Sequence, residues 1–220
     1  MSRATNEAVK AWQTVTEMLA DRLEGQGDRP DDGGARGGEG SEPPQGANVV
    51  KASGLGDVEI RGLVEEFPTF SVVVAPGFSV VFHTAHSTVK KQEVFHAAET
   101  GAPPGATPHV ILVLRNKNTA TVKSLMGEAS SRRARMEIFS IQELQYNPAR
   151  HVLVPKHAKI PKSAEEGVMR TYSVGNRFQL PLILQGDVMS RYLGLEHGDI
   201  VRIERPSPTA GVAVVYRACM

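Results

Sequence analysis

The spacing of hydrophobic and polar positions changes several times along the 220-residue chain, and each change predicts a different element. From Trp12 to Leu23 apolar residues recur at helical spacing, which predicts a helix over residues 5–23. The next stretch, residues 25–48, is rich in glycine, proline and acidic residues and nearly devoid of apolar side chains. Because such a segment cannot offset its ordering entropy by burial, we expect a disordered insertion there.

Strand and helix patterns alternate in the middle of the chain. Strands are predicted in DVEIRGLV (57–64), FSVVVA and GFSVVFH (70–83, with a turn at Ala75-Pro76-Gly77), HVILVLRN (109–116) and the start of RRARMEIFSIQELQYN (132–147). Helices are predicted in STVKKQEVFHAAET (87–100) and TATVKSLMGEA (119–129). Because strands and helices alternate, we expect residues 1–147 to form an α/β domain.

A break at Asn147-Pro148 precedes a second, smaller set of elements. In HVLVPKH (151–157) the valines and leucine at 152–154 predict a strand that Pro155 ends. A helix is predicted in KSAEEGVMRTYSV (162–174), capped by Ser163. A second is predicted in DVMSRYLGL (187–195), capped by Asp187 and ended by Gly194. GDIVRIER and GVAVVYRACM predict two final strands, so residues 148–220 are expected to form a small α+β domain.

Composition narrows the class of protein. Apolar residues make up 40% and aromatic residues 5%, so the core must be mostly aliphatic. The net charge is +1, but from Pro148 onward 10 Lys and Arg face 6 Asp and Glu, a net +4 that makes this part mildly basic. The single cysteine, Cys219, fits a reducing compartment, and no apolar run approaches the ~20 residues that span a bilayer. We therefore expect a soluble, intracellular protein.

Searches for catalytic or metal-binding patterns lead to no site. His83 and His86 form H-x-x-H without the ligands of a zinc centre, and we expect these histidines to be solvated or capping. Asp57 and Glu59 lack the lysine of a nuclease set and are expected on an exposed strand face. No G-x-S-x-G elbow occurs. We expect no catalytic residue, metal, cofactor or small-molecule substrate.

Basic and hydroxyl side chains in two segments, RNKN with the following helix start and SSRRAR, are the candidates for nucleic-acid contact. Such groups bind phosphates, and a helix start also offers backbone N–H groups. A solvated loop is the competing interpretation. The candidate DNA-contact residues are Lys117, Thr119, Lys123, Arg132 and Arg133.

Several motifs stand in a fixed order in the last third of the chain: HVLVPKH, QLP, GD followed by RYLGL, HGDIVRIERPSPTAG and YRACM. In this combination the segment resembles the C-terminal assembly domain of the fifth subunit of nuclear RNA polymerases, which has a small archaeal polymerase subunit as its counterpart. Through AWQTVTEMLADR and TATVKSL, the first part resembles the jaw domain of the same nuclear subunit more loosely. The chain departs from the usual pattern by Leu182 after QLP and Val188 after GD.

The resemblance implies a fold and a function. It implies a nuclease-like three-layer α/β/α jaw without an active site, followed by the α+β assembly domain. The implied function in transcription is that of a non-catalytic subunit in the nucleus. Its assembly domain would dock on the largest polymerase subunit beside other subunits, and its jaw would line the channel for downstream duplex DNA, with no membrane partner.

Side chains of the assembly domain are the candidates for subunit contacts, because arginine and aromatic residues commonly anchor interfaces. The candidate interface residues are His151, Pro155, Arg191, Tyr192, Gly194, Arg202, Arg205, Tyr216 and Arg217. Two other classes stay open: a free-standing nucleic-acid-binding module, which would bind DNA alone, and a nuclease-like enzyme, which would cleave it with a metal.

Overall fold

The computed structural model of the chain describes residues 3–24, 55–75, 77–85, 89–99 and 107–220, so the predicted insertion at 25–48 lies outside the described residues. The helices are α1 (Arg3–Glu24), α2 (Asp57–Glu66), α3 (Lys91–Glu99), α4 (Thr119–Ser131), α5 (Lys162–Thr171) and α6 (Val188–Leu193). The strands are β1 (Thr69–Ala75), β2 (Phe78–His83), β3 (His109–Leu114), β4 (Arg135–Ser140), β5 (Lys156–Lys159), β6 (Leu182–Ile183), β7 (Ile200–Ser207) and β8 (Gly211–Cys219). Within these ranges no helix is long and apolar enough to cross a membrane.

The described residues form two compact units. The first unit contains residues 3–16 and the described residues from 55 to 146, and the second contains residues 17–24 and 147–220. The predicted N-terminal helix is confirmed as α1, which begins in the first unit and ends in the second.

A four-stranded sheet in the order β1-β2-β3-β4 forms the centre of the first unit. β1 and β2 pair antiparallel, whereas β2–β3 and β3–β4 pair parallel. On one face, Phe95 of α3 and Leu125 of α4 pack in a buried cluster with Val81. On the other face, the ring of Trp12 lies 6.0 Å from that of Phe82. Helices thus cover both faces, and the mixed α/β character expected here is confirmed.

The strand predicted in DVEIRGLV is wrong, because these residues lie in α2. Only Ile60 is buried in this helix, whereas Val58 is 81% exposed, so the apolar residues do not alternate between a buried and an exposed face. The carboxylate of Glu59 accepts a hydrogen bond from the N–H of Gly56, which forms part of a capping box at the helix start. The acidic first turn also favours the helix through its dipole.

The strand predicted at residues 152–154 is also wrong, because these residues form a turn and β5 begins only after Pro155. His151 closes this turn: its carbonyl accepts from the N–H of Val154 at 2.9 Å, and its Nδ1 accepts from the N–H of Leu153 at 3.2 Å. These local bonds satisfy backbone groups that a strand would otherwise present to its neighbour. Pro155 has no N–H to donate, so pairing starts beyond it.

A second four-stranded sheet, in the order β5-β7-β8-β6, forms the second unit. β7 and β8 are the antiparallel strands predicted at the end of the chain, and β5 adds to β7 antiparallel. β6 adds to β8 in parallel through only two residues. Ile160, Leu180, Ile200 and Ala218 form a buried core cluster. The small mixed α+β domain expected here is confirmed.

The helix ends of the second unit follow local sequence signals in part. The Asp187 side chain accepts a hydrogen bond from the N–H of Met189 at 2.9 Å, and Gly194 ends α6 at φ 62°, as predicted. The cap predicted at Ser163 is wrong, because α5 already begins at Lys162 behind Pro161. A proline with extended backbone ahead of the helix sets its start one residue earlier, and no side-chain cap forms.

The last turn of α1 is bonded to the end of α6 within the second unit. Arg22 Nε donates to the carbonyl of Tyr192 at 2.8 Å, and Arg22 Nη2 donates to the carbonyl of Arg191 at 2.9 Å. The last carbonyls of a helix have no partner within it, and a cation there also complements the helix dipole. One side chain of α1 therefore caps the C-terminal end of α6.

A buried carboxylate lies at the start of β7. Asp199 is 1% exposed, and its carboxylate lies 2.6 Å from Lys159 Nζ and 2.8 Å from Lys162 Nζ, and it accepts from the N–H of Glu196 at 2.7 Å. Burial opposes its ionisation, but these three hydrogen bonds outweigh burial and lower the pKa of Asp199. The hydrogen bond to Asp199 in turn raises the pKa of Lys162.

A second buried carboxylate extends this group of charges. Glu165 of α5 is 4% exposed and lies 3.1 Å from Lys162 Nζ and 3.2 Å from Arg177 Nη1. Arg177 Nη1 also donates to the carbonyl of Gly198 at 2.7 Å. The charged group therefore connects the start of α5, the end of β5, a short 3-10 helix at Arg177–Gln179 and the turn before β7.

We predict that Asp199→Asn lowers the free energy of unfolding of the second unit by about 3 kcal/mol at neutral pH, because it leaves two lysines without their carboxylate. Since the pKa of Asp199 is lowered by folding, its contribution is complete above the unfolded value of 3.8 and is lost as the pH falls toward the folded value. Urea unfolding between neutral pH and pH 3 should show a smaller acid dependence in the variant. Glu166→Gln is the matched control, because Glu166 forms an exposed ion pair with Arg170. Equal loss in both variants would contradict the prediction.

We predict that Arg22→Ala speeds hydrogen exchange of the amides of α6 in the full chain about 30-fold, which corresponds to ~2 kcal/mol for hydrogen bonds from a charged donor. The control is Arg3→Ala on the same helix, because Arg3 is exposed and pairs only with Glu7. Exchange of α6 that is equally slow in both variants would show that Arg22 does not hold the end of this helix.

Candidate subunit interface

The second unit contains a cavity of about 560 Å³ between β5, α6 and the end of α1. Its apolar lining includes Val154, Pro155, Ala158, Met189 and Leu193. Its polar lining includes Asp21, Arg150, Lys156, His157 and Tyr192. The cavity is thus an apolar recess with a polar rim, the usual composition of a recognition site.

Tyr192 is the best-bonded side chain in the wall of this cavity. Its hydroxyl donates to Asp21 Oδ2 at 2.7 Å and accepts from Asn147 Nδ2 at 2.9 Å. Burial, together with the carboxylate of Asp21, raises the pKa of Tyr192 well above its ordinary value. Tyr192 therefore stays protonated as a donor, and Arg150 completes the group 3.4 Å from Asp21.

The turn closed by His151 presents two aliphatic side chains to solvent beside this cavity. Val152 is 92% exposed and Leu153 is 82% exposed, although Val154, two residues on from Val152, lines the cavity. Large aliphatic side chains held outward by a hydrogen-bonded turn lose little further entropy when a partner covers them. His157 Nδ1 lies 2.7 Å from the carbonyl of Pro155, which fixes the ring at the start of β5.

The candidate interface residues divide into an exposed group and a structural group. His151, Arg205 and Arg217 are exposed. The others are buried or half-buried and contribute to the unit itself: Pro155, Arg191, Tyr192, Gly194, Arg202 and Tyr216. Arg202 pairs with Glu204 at 3.0 Å, and the ring of Tyr216 meets that of Tyr172 edge-on at 5.4 Å. The sequence could not separate the groups, because arginine and tyrosine suit either role.

The candidate DNA-contact residues lie at both ends of α4. Lys117 and Thr119 flank its start, Lys123 lies in its second turn, and Arg132 and Arg133 follow its end. A helix of 13 residues is about 20 Å long, so the five residues do not form one cluster.

Several of these candidates have partners within the first unit. Lys117 lies 3.2 Å from Glu143, and Arg132 lies 2.9 Å from Glu128. Arg132 also lies 4.8 Å from the ring centre of Phe95. Lys123 and Arg133 are exposed and pair with no carboxylate among the described residues, so they are the cations most available to phosphates.

The described residues contain no group of three or more metal-ligating side chains. The expectation of a solvated His83 is wrong: it is 5% exposed, and its Nδ1 lies 2.7 Å from Thr69 Oγ1, because β2 is covered on both faces. Asp57 and Glu59 lie in the first turn of α2 and not on a strand. Burial raises the pKa of the Cys219 thiol, which disfavours the reactive thiolate.

Two functional contacts were missed from the sequence. Asp21 and Arg22 at the end of α1 bond to Tyr192 and to the end of α6, more than a hundred residues later. A basic residue in the last turn of a helix was the available signal, but it usually serves its own helix. Contacts at such sequence separation leave no periodic trace.

Comparisons with known proteins agree with this division of the chain. The family model described as RNA polymerase Rpb5, C-terminal domain, matches residues 146–219, nearly the same residues as the second unit after α1. Subunit Rpo5 of the DNA-directed RNA polymerase of Methanocaldococcus jannaschii is 43% identical over 67 residues, which are 30% of this chain and 85% of that protein.

Two eukaryotic proteins are similar over a longer part. Subunit rpabc1 of DNA-directed RNA polymerases I, II and III of Dictyostelium discoideum is 36% identical over 111 residues, 50% of this chain and 56% of that protein. Its counterpart RPABC1 of Caenorhabditis elegans is 35% identical over 107 residues, 49% of this chain and 50% of that protein. The match thus spans about half the length of these eukaryotic relatives. The chain belongs to the Rpb5 and Rpo5 family of DNA-directed RNA polymerase subunits.

Proposed function

We propose that the chain is a non-catalytic structural subunit of a multisubunit DNA-dependent RNA polymerase, which acts in transcription in the nucleus. The observation that carries this proposal is the match of the Rpb5 C-terminal family model to residues 146–219, which form almost all of the second compact unit. A segment that is both a family domain and a structural unit retains a shared role as one piece.

In this proposal the second unit docks on the largest polymerase subunit. A domain of this size buries only ~60% of the surface that its unfolded chain exposes, so it gains stability from a partner. The exposed turn with Val152 and Leu153 beside the cavity supplies apolar surface for such a contact. The net charge of +4 from Pro148 onward favours an acidic partner surface.

The first unit is proposed to line the channel for downstream duplex DNA. Lys123 and Arg133 support this role, since both are exposed and neither pairs with a carboxylate in the described part of the chain. Contacts from such side chains to phosphates position a duplex without reading its sequence. Lys117, Thr119 and Arg132 would contribute less, because the two cations among them share their charge with glutamates.

We predict that affinity purification of the tagged full-length chain from its own cells recovers the two largest polymerase subunits in stoichiometric amounts. Mass spectrometry of the purified complex measures this, with the untagged chain as the control. Absence of both subunits would overturn the proposal. DNA binding by the isolated chain at physiological salt would then favour a free-standing nucleic-acid-binding module, and metal-dependent cleavage would favour a nuclease.

We predict that Lys123→Glu with Arg133→Glu reduces the salt dependence of the polymerase–DNA complex. Each lost phosphate contact lowers the slope of log K against log salt by ~0.9, so the pair should lower it by about 2. The matched control reverses Lys90 and Lys91, two exposed lysines at the start of α3. Reversal of Lys117 and Arg132 in addition should add little. An unchanged slope after all four reversals would refute DNA contact by these residues.

A further inference from the structure

One edge of the second sheet is left open. β8 is nine residues long, but β6 covers only its last two, through the pairs Leu182–Ala218 and Ile183–Cys219. Pro181 precedes β6 and has no N–H, so it cannot donate to β8 and the parallel pairing ends there. The edge of β8 from Val212 to Tyr216 therefore has no neighbouring strand on this side among the described residues.

The hydrogen-bond pattern shows which backbone groups face the open edge. The N–H of Cys219 donates across to the carbonyl of Asp199 of the β7 side at 2.8 Å, whereas the N–H of Ala218 donates outward to Pro181 at 2.9 Å. In an antiparallel pair these directions alternate along the strand. The N–H and C=O groups of Val214 and Tyr216 consequently point away from β7, toward the open edge.

This edge lacks the features that usually protect an exposed strand. The pairing of β7 with β8 runs without a register shift from Ile200–Ala218 to Ser207–Gly211, so no bulge bends the edge away. No proline or lysine occurs in β8. Val212 is 61% exposed and Val214 is 38% exposed, which leaves apolar side chains beside the outward backbone groups.

The charges around the open edge indicate what kind of segment would fit. Arg205 and Arg217 are exposed on the face opposite to Val212 and Val214, and neither pairs with a carboxylate among the described residues. Arg217 Nη1 donates only to the carbonyl of Leu182 at 2.9 Å. β8 itself contains no acidic residue, so a second copy of this edge could not neutralise these arginines.

We propose that an extended segment of another polymerase subunit adds to the edge of β8 as a fifth strand beside residues 212–216. The segment would carry apolar residues on the face of Val212 and Val214, and a carboxylate on the face of Arg205 and Arg217. Main-chain hydrogen bonds supply the affinity in such strand addition, and alternate side chains supply the specificity. The choice of a polymerase subunit as the donor rests on the proposed function.

The test replaces one outward backbone donor without changing the pairing with β7. Val214→Pro removes the N–H that faces the open edge, and proline is tolerated at edge positions of this kind. Val214→Ala is the matched control, because it keeps the N–H and shortens the same side chain. Full-length tagged wild type and both variants are purified from cells, and the yield of the two largest polymerase subunits is compared.

We expect Val214→Pro to lower this yield at least tenfold, and Val214→Ala to lower it by less than threefold. Hydrogen exchange should slow at the amides of Val214 and Tyr216 of the wild type when the purified polymerase is compared with the free chain. An intact circular dichroism spectrum and melting temperature of Val214→Pro would show that the unit still folds. If that variant is misfolded, the exchange comparison alone decides.

Two outcomes would overturn the inference while leaving the proposed function intact. One is recovery of both large subunits with Val214→Pro at the wild-type level, and the other is unchanged exchange of both amides in the complex. If the free wild-type chain sediments as a dimer that Val214→Pro dissociates, a second copy occupies the edge and the inference is also wrong. Failure of the wild type to recover any polymerase subunit would instead refute the proposed function.

Discussion

The second unit depends on the burial of one carboxylate, that of Asp199 at the start of β7. A buried carboxylate without partners would cost several kcal/mol in lost hydration. Lys159 at the end of β5 and Lys162 at the start of α5 offset this cost at 2.6 and 2.8 Å. Two connected elements must therefore approach β7 at one point. The carbonyl of Asp199 also accepts from Cys219, so the same residue joins β8 to this point.

α1 links the chemistry of the two units through a single helix. Trp12 packs against Phe82 in the first unit, whereas Arg22 caps α6 in the second. Asp21 beside it accepts from Tyr192 and lines the cavity near the turn closed by His151. The family model covers residues 146–219 and thus leaves out a helix turn that contributes to the same structural unit.

Elements whose apolar residues face one environment were predictable, and those at the margins were not. β3 is buried along almost its whole length, so a continuous apolar run identified it. In α2 a single side chain, Ile60, is buried, so the pattern was too weak to distinguish helix from strand. At residues 152–154 two of three aliphatic side chains are exposed, which is a poor fit to the usual cause of an apolar run. The candidate interface was predictable as a region, but Tyr192 and Gly194 belong to its interior.

The amino-acid sequence by itself determined the local signals and the family: the caps at Asp187 and Gly194, the β7–β8 hairpin and the ordered motifs of the last third. These depend on residues close together in the chain, or on a motif order that can be read directly. Only the tertiary structure decided that Arg22 caps α6, that Asp199 gathers two lysines, and that the edge of β8 stays open. Each of these depends on which distant segments meet, and long-range packing leaves no period in the sequence.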